Sequence, residues 1–230
     1  MDDAPQEDLD PADLDTQLRR VDPDRWMSSR FIGDADKRAD VVALYAFDHE
    51  LARAPRITSN SLLGEIRLTW WREVLDEIFE GRPVRRHPTA QALAEAVRRR
   101  GLTRPPLETL IDARYRELDA SPMDAKEALA WARDTGGLAA EIAALILAPG
   151  ADVGPARAAG TAWALGRKAA EAPVFGGVFE KTLAGARAAM KHLPPEAFPA
   201  VAHAALAGRR KGSDLARRLR LIWAVARGRI

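Results

Sequence analysis

Leu44-Tyr45-Ala46-Phe47-Asp48-His49-Glu50-Leu51-Ala52-Arg53, answered further along by Trp70-Trp71-Arg72, carries most of the structural information in this chain. Placed on a helix over residues 37–54, with about 3.6 residues per turn, Val41, Leu44, Tyr45, Phe47, Leu51 and Ala52 gather on one broad apolar arc. Asp48 falls near the middle of that arc, and Glu50 lies opposite it. A carboxylate in an apolar arc has to be paired with a cation, hydrogen-bonded or kept neutral, because burying it unpaired is costly. Two roles fit: a core acid that holds two helices in register, or an acid lining a pocket. Tyr45 has the same ambiguity, as a cavity-lining ring or a buried tyrosine with its hydroxyl satisfied.

A second helix is predicted over Leu62 to Phe79. Leu63, Ile66, Trp70, Val74 and Ile78 line one side, and Leu68, Trp71, Leu75 and Phe79 widen the apolar arc past half the circumference, which predicts a mostly buried helix. Its remaining strip stacks Glu65, Thr69, Arg72, Glu73 and Asp76 at helical spacing. That strip reads either as a solvated face or as the polar wall of an internal cavity. If Arg72 points inward, it is the natural partner of Asp48.

Outward from these helices, Pro, Gly and capping residues divide the chain into roughly eight or nine helices without a convincing strand pattern. Asp24–Phe31 reads as a short helix, Asp34 or Asp36 as the cap of the helix that follows, and Ser59-Asn60-Ser61 as the next cap. Helices follow over Thr89–Arg100 and after Pro105-Pro106, where Leu107, Leu110, Ile111 and Tyr115 are in register. Asp124 and Glu127 form a capping-box pattern leading a long run toward Leu147. Gly136-Gly137 interrupts that run, so either the helix breaks or a neighbour approaches its backbone closely. Asp134 and Glu141 share a face there, as a salt-bridge pair or as two Mg²⁺ ligands. Residues 155–172, 178–192, 195–207 and 213–228 complete an all-α chain. In the last helix Leu215, Leu219, Ile222, Trp223 and Ala226 share one side and Arg217, Arg220 and Arg227 another. Such a helix either covers the core with its basic side in water or rests on an anionic membrane surface.

The chain has 230 residues, 47% of them hydrophobic and 30% charged, which suits a single globular domain. Residues 1–20 read as an acidic, mobile leader or a loosely attached first turn, and 21–230 as the domain. Without cysteine there is no disulfide, thiolate metal site or Cys nucleophile, consistent with a reducing cytoplasm. The four histidines lack paired zinc-ligand spacing. No apolar run approaches the roughly 18 residues needed to span a bilayer, and the acidic start is unlike a signal peptide, so a cytoplasmic location, with peripheral contact at a membrane face, is expected. Net charge is only +2. Residues 181–230 nevertheless hold eleven Lys or Arg against Glu196 and Asp214. A basic end of this kind suits an acidic partner surface, whether anionic lipid, protein or nucleic acid. Aromatic residues are sparse in that half, which argues against nucleic acid.

Taken together, Arg38, Leu44-Tyr45-Ala46-Phe47, Leu63-Gly64-Glu65-Ile66-Arg67-Leu68 leading into Trp70-Trp71-Arg72-Glu73, and the Gly-bearing helix after Tyr115 resemble the squalene/phytoene synthase family over about Asp24 to Trp163. The resemblance implies an isoprenoid synthase-like helical bundle with a central apolar cavity. It also implies head-to-head condensation of two prenyl diphosphates held by Mg²⁺ on two acidic clusters. Here the chain departs from the pattern: Ala52, Arg53 and Arg56 stand where the family has aspartates, and no aspartate occurs between Asp152 and Asp214. Mg²⁺ takes several oxygen ligands, so the deficit implies a non-catalytic branch. One branch with a similar Tyr-Ala-Phe-x-x-Glu-Leu-Ala-Arg stretch and Trp-Trp-Arg motif includes the mitochondrial assembly factor for respiratory complex I. The expected ligands and partners are then a prenyl lipid or prenyl diphosphate and a respiratory-complex protein, with no metal or other cofactor. Tyr45, Asp48, Arg53, Glu65 and Arg72 are the candidate cavity residues. The alternative is an active prenyltransferase with a rebuilt Mg²⁺ site drawn from Glu50, Glu65, Asp76 or Glu141.

Overall fold

The computed structural model describes residues 11–56, 61–208 and 213–230, and among them there are helices and no strands. At its centre is α3 (Ala35–Arg53), capped by Asp34, whose carboxylate accepts from the Lys37 amide at 2.9 Å. Its residues from Asp40 through Asp48 are all buried, so this helix has neighbours on every side. Asp40 is reached by Arg99 and Arg100 of α5 (Pro88–Arg100) at 2.8 and 2.6 Å. The ion pairs replace the water that the buried carboxylate loses and tie α5 to α3.

The first twenty residues do not all form a leader. Residues 1–10 lie outside the described residues, but α1 (Pro11–Val21) is a helix packed on α3. Leu14 and Leu18, an i, i+4 pair, are its buried apolar residues among those described, and Asp15 accepts from the Trp26 indole at 3.0 Å. α2 (Pro23–Ser29) follows with Asp22 as its cap.

α4 (Ser61–Phe79) is less buried than its apolar content predicts. Gly64, Leu68, Trp71, Val74 and Leu75 face the protein, whereas Leu62, Leu63 and Ile66 are exposed. The helix packs chiefly on α6 (Arg104–Tyr115), which covers only one of its sides. Ser59 and Asn60 of the expected cap lie outside the described residues.

The capping box at Asp124 forms as expected at the start of α7 (Ala125–Ala132). Arg133–Gly137 is then a π-helical turn, and α8 (Leu138–Leu147) continues beyond it. Close approach explains the two glycines. A Cβ on Gly160 of α9 (Gly154–Glu171) would lie 2.2 Å from the Gly136 carbonyl oxygen, and one on Gly137 would lie 2.4 Å from Thr161 Oγ1. After α10 (Gly176–Ala189), the helix expected over 195–207 is instead two 3₁₀ segments, Pro195–Ala200 and Ala202–Leu206. Pro199 inside the first has no amide hydrogen to continue an α-helical ladder. The chain closes with α11 (Asp214–Arg227), and no helix among the described residues is long and apolar enough to cross a membrane.

Candidate functional site

Asp48 marks the end of the bundle where α2, α3, α6, the π-helical turn and α9 meet. Both of its carboxylate oxygens are taken. Arg25 donates to Oδ2 at 2.5 Å and Arg114 to Oδ1 at 2.6 Å, all three side chains being buried. Arg114 also donates to Glu117 at 2.8 Å, and the Trp131 indole reaches the same Glu117 oxygen at 2.9 Å. Burial pushes the Asp48 carboxyl up, but Arg114 and Arg25 together outweigh it and hold it well below the usual carboxylate range. Asp48 is thus a charged core acid and a pocket wall at once.

Arg25 and Arg114, not Arg72, are its partners. Arg72 is exposed, pairs with Asp112 and lies over the Tyr115 ring. Glu65 is exposed as well, so the polar strip of α4 is a solvated face and neither residue reaches this site. Arg114 had a detectable signal: it continues the buried register of Leu107, Leu110 and Ile111, where an apolar residue would be the norm. Arg25 had none, because a seven-residue helix is too short to show which face is inward.

Beneath this layer, Arg25 lies over the rings of Tyr45 and Trp163, at 4.8 and 4.4 Å. Tyr45 is buried with its hydroxyl donated to the Ala200 carbonyl at 2.9 Å. It supports the floor and does not line the opening. His203 packs edge-on to Trp163 and Tyr45 with neither ring nitrogen bonded. Burial, with the charges of Arg25 and Arg167, keeps it neutral, well below the ordinary histidine range.

The cavity above holds about 140 Å³. Among the described residues, six cations (Arg25, Arg53, Arg56, Arg114, Arg167 and Lys168) and three carboxylates (Asp22, Asp48 and Glu171) line it. Arg53 is at the rim and bonds Glu50 at 2.8 and 3.0 Å, and Arg56 stands 4.0 Å from Glu117. Arg167 and Lys168 lie over Trp163 and Trp131. The Nε–H groups of Arg25 and Arg114 are buried and have no acceptor. This is a small, cation-rimmed opening, where the resemblance implies a central apolar cavity.

The carboxylates named for a rebuilt metal site do not converge. Glu50 is held by Arg53, Asp76 by Arg104 at 2.5 Å, and Glu141 by Arg157 at 3.1 Å. Arg157 also holds Asp134 at 3.1 Å, so both acids of that pair are salt-bridged to one arginine. Among the described residues no group of three or more His, Asp or Glu side chains is placed to hold a metal ion.

Comparison with known proteins agrees with this architecture. A solved structure described as a dehydrosqualene synthase in complex with ligand matches at TM-score 0.74 and 14% identity, covering 94% of this chain and 95% of that one. The squalene synthase HpnC from Alicyclobacillus acidocaldarius gives TM-score 0.65 at 13% identity, covering 95% and 94%. At such identities the likeness is one of fold. In sequence, the NADH dehydrogenase (ubiquinone) complex I, assembly factor 6 of Bos taurus is 34% identical over 102 residues, 44% of this chain and 30% of the relative. Its Homo sapiens counterpart is 32% identical over the same coverage. The match therefore spans under a third of the length of these relatives. The profile described as Squalene/phytoene synthase matches residues 18–167, which contain α3, α4 and the Asp48 cluster. By that match and by the shared bundle, the chain belongs to the squalene/phytoene synthase family.

Proposed function

We propose that this family member does not condense prenyl diphosphates but holds a phosphate or diphosphate group at its cationic opening, and acts as an assembly-type factor for a respiratory complex. The observation that carries the reading is Asp48 with both oxygens engaged by Arg25 and Arg114. Mg²⁺ needs several free oxygen ligands, and here guanidinium groups already occupy those of Asp48, Glu50 and Glu117. Arginine can instead bind phosphate oxygens directly and in pairs. A volume of about 140 Å³ is well below the roughly 300–1,000 Å³ of ordinary small-molecule pockets, so it suits an anionic head better than a prenyl chain. The assembly role rests on the names of the relatives matched in sequence, and a respiratory-complex protein is the partner class they support.

The test has two arms on one preparation. Incubation with Mg²⁺ and farnesyl or geranylgeranyl diphosphate is expected to give no squalene, phytoene or cyclopropyl precursor. Inorganic diphosphate with a chelator present is expected to stabilise the protein by about 2.7 kcal/mol at a concentration 100-fold above Kd, read as a rise in melting temperature. Replacing Arg56 and Arg167 by Ala should reduce that rise. Condensation product above a no-enzyme control, or stabilisation that requires Mg²⁺, would overturn the proposal.

A further inference from the structure

The last helix is turned the opposite way from the orientation that would bury its apolar stripe. α11 meets the rest of the protein, chiefly α2 and the 3₁₀ segment Ala202–Leu206, through Leu221 and Ala224, which are 1% and 0% exposed. Arg217 on the inward side pairs with Asp24 of α2. Leu215, Leu219, Ile222 and Trp223 point away from the protein and are 66, 57, 53 and 51% exposed. Their spacing puts them on a single ridge along a helix of 14 residues, about 21 Å long. At about 100° per residue, Arg218 borders this ridge on one side and Arg220 and Arg227 on the other. The Arg227 guanidinium lies 5.5 Å over the Trp223 ring, and the only acid in the helix is Asp214 at its first position.

We propose that this ridge is a docking surface for an anionic lipid bilayer, on which α11 lies in the plane of the headgroups. Charge and shape both select that occupant. A bilayer interface accepts a narrow convex apolar ridge without a complementary groove, offers acidic headgroups to cations on both flanks, and favours a tryptophan at the boundary. A second copy meeting this ridge by two-fold symmetry would bring the same arginine rows against one another, which is unfavourable. The inward face is already engaged, so the helix need not leave its site to bind.

Flotation of the whole chain with phosphatidylcholine vesicles, with and without phosphatidylglycerol, tests this. Association is expected only with the acidic lipid, and it should fall as salt is raised. Arg218→Ala and Arg227→Ala should each weaken it about fivefold. Leu219→Asp with Ile222→Asp should weaken it by at least about tenfold. Both replacements lie on the exposed ridge, so an unchanged far-UV spectrum and Tm should accompany the loss, and Trp223→Phe should remove a vesicle-induced blue shift of emission. Equal binding to neutral vesicles, binding untouched by the paired aspartates, or a wild-type dimer that the paired aspartates convert to monomer, identifying a second copy as the occupant, would each overturn the proposal.

Discussion

A single carboxylate, Asp48, is shared by two buried guanidinium groups, and its energetics follow from what each substitution strands. Asp48→Ala removes the counter-charge of Arg25 and Arg114 and leaves both cations buried, which costs about 3–5 kcal/mol. Two residues away, Glu50 bonds Arg53, whose side chain is 45% exposed, so Glu50→Ala is expected to cost about 0.2–1 kcal/mol. Chemical denaturation of the two variants measures the contrast. Equal midpoints would mean that Asp48 does not bear the charge balance of this site. Because the folded-state pKa of Asp48 lies below its unfolded value, its contribution is complete above the ordinary carboxylate range and is lost only as pH falls toward that depressed value.

At the scale of elements, the contact between the π-helical turn and α9 places two walls of the opening, those carrying Thr135 and Gly136 on one side and Trp163, Ala164 and Arg167 on the other. The two backbones approach so closely that only glycine fits between them. Gly160→Ala would drive a methyl group into the Gly136 carbonyl and the Ala140 side chain, at 2.2 and 2.5 Å. Such overpacking costs about 1–3 kcal/mol. Gly177→Ala in α10 is the matched control: nothing lies within 4 Å of its added Cβ, and its higher helix propensity should leave stability unchanged or raise it by up to about 1 kcal/mol. Thermal melts of the pair distinguish a packing requirement from a general intolerance of alanine. A Gly160→Ala variant as stable as wild type would show that α9 can shift away without loss.

Across the whole molecule, the beginning and end of the chain are bound to the same core. Ser28 donates to the Pro199 carbonyl at 2.7 Å, Tyr45 to Ala200 at 2.9 Å, and Arg217 pairs with Asp24. One continuous apolar cluster runs from Leu14 to Ala224. Neither half can open without exposing the other's buried surface, so calorimetry is expected to record one transition with equal calorimetric and van't Hoff enthalpies. Two resolved transitions would divide this core into separate units.

Read alone, the residues determined the helical class, most helix positions and the burial of Asp48, because apolar spacing, capping residues and the cost of a buried charge are local or nearly local properties. They also supplied both readings of Gly136-Gly137, and close approach is the one that holds. What they could not settle is which way a helix faces when more than one of its sides is apolar. α4 leaves Leu62, Leu63 and Ile66 in solvent, α11 turns Leu219 and Ile222 outward, and Asp48 finds Arg25 and Arg114 in place of Arg72. Those outcomes depend on neighbours distant in the chain, and only tertiary packing, which assigns each helix face to a partner or to water, decided them.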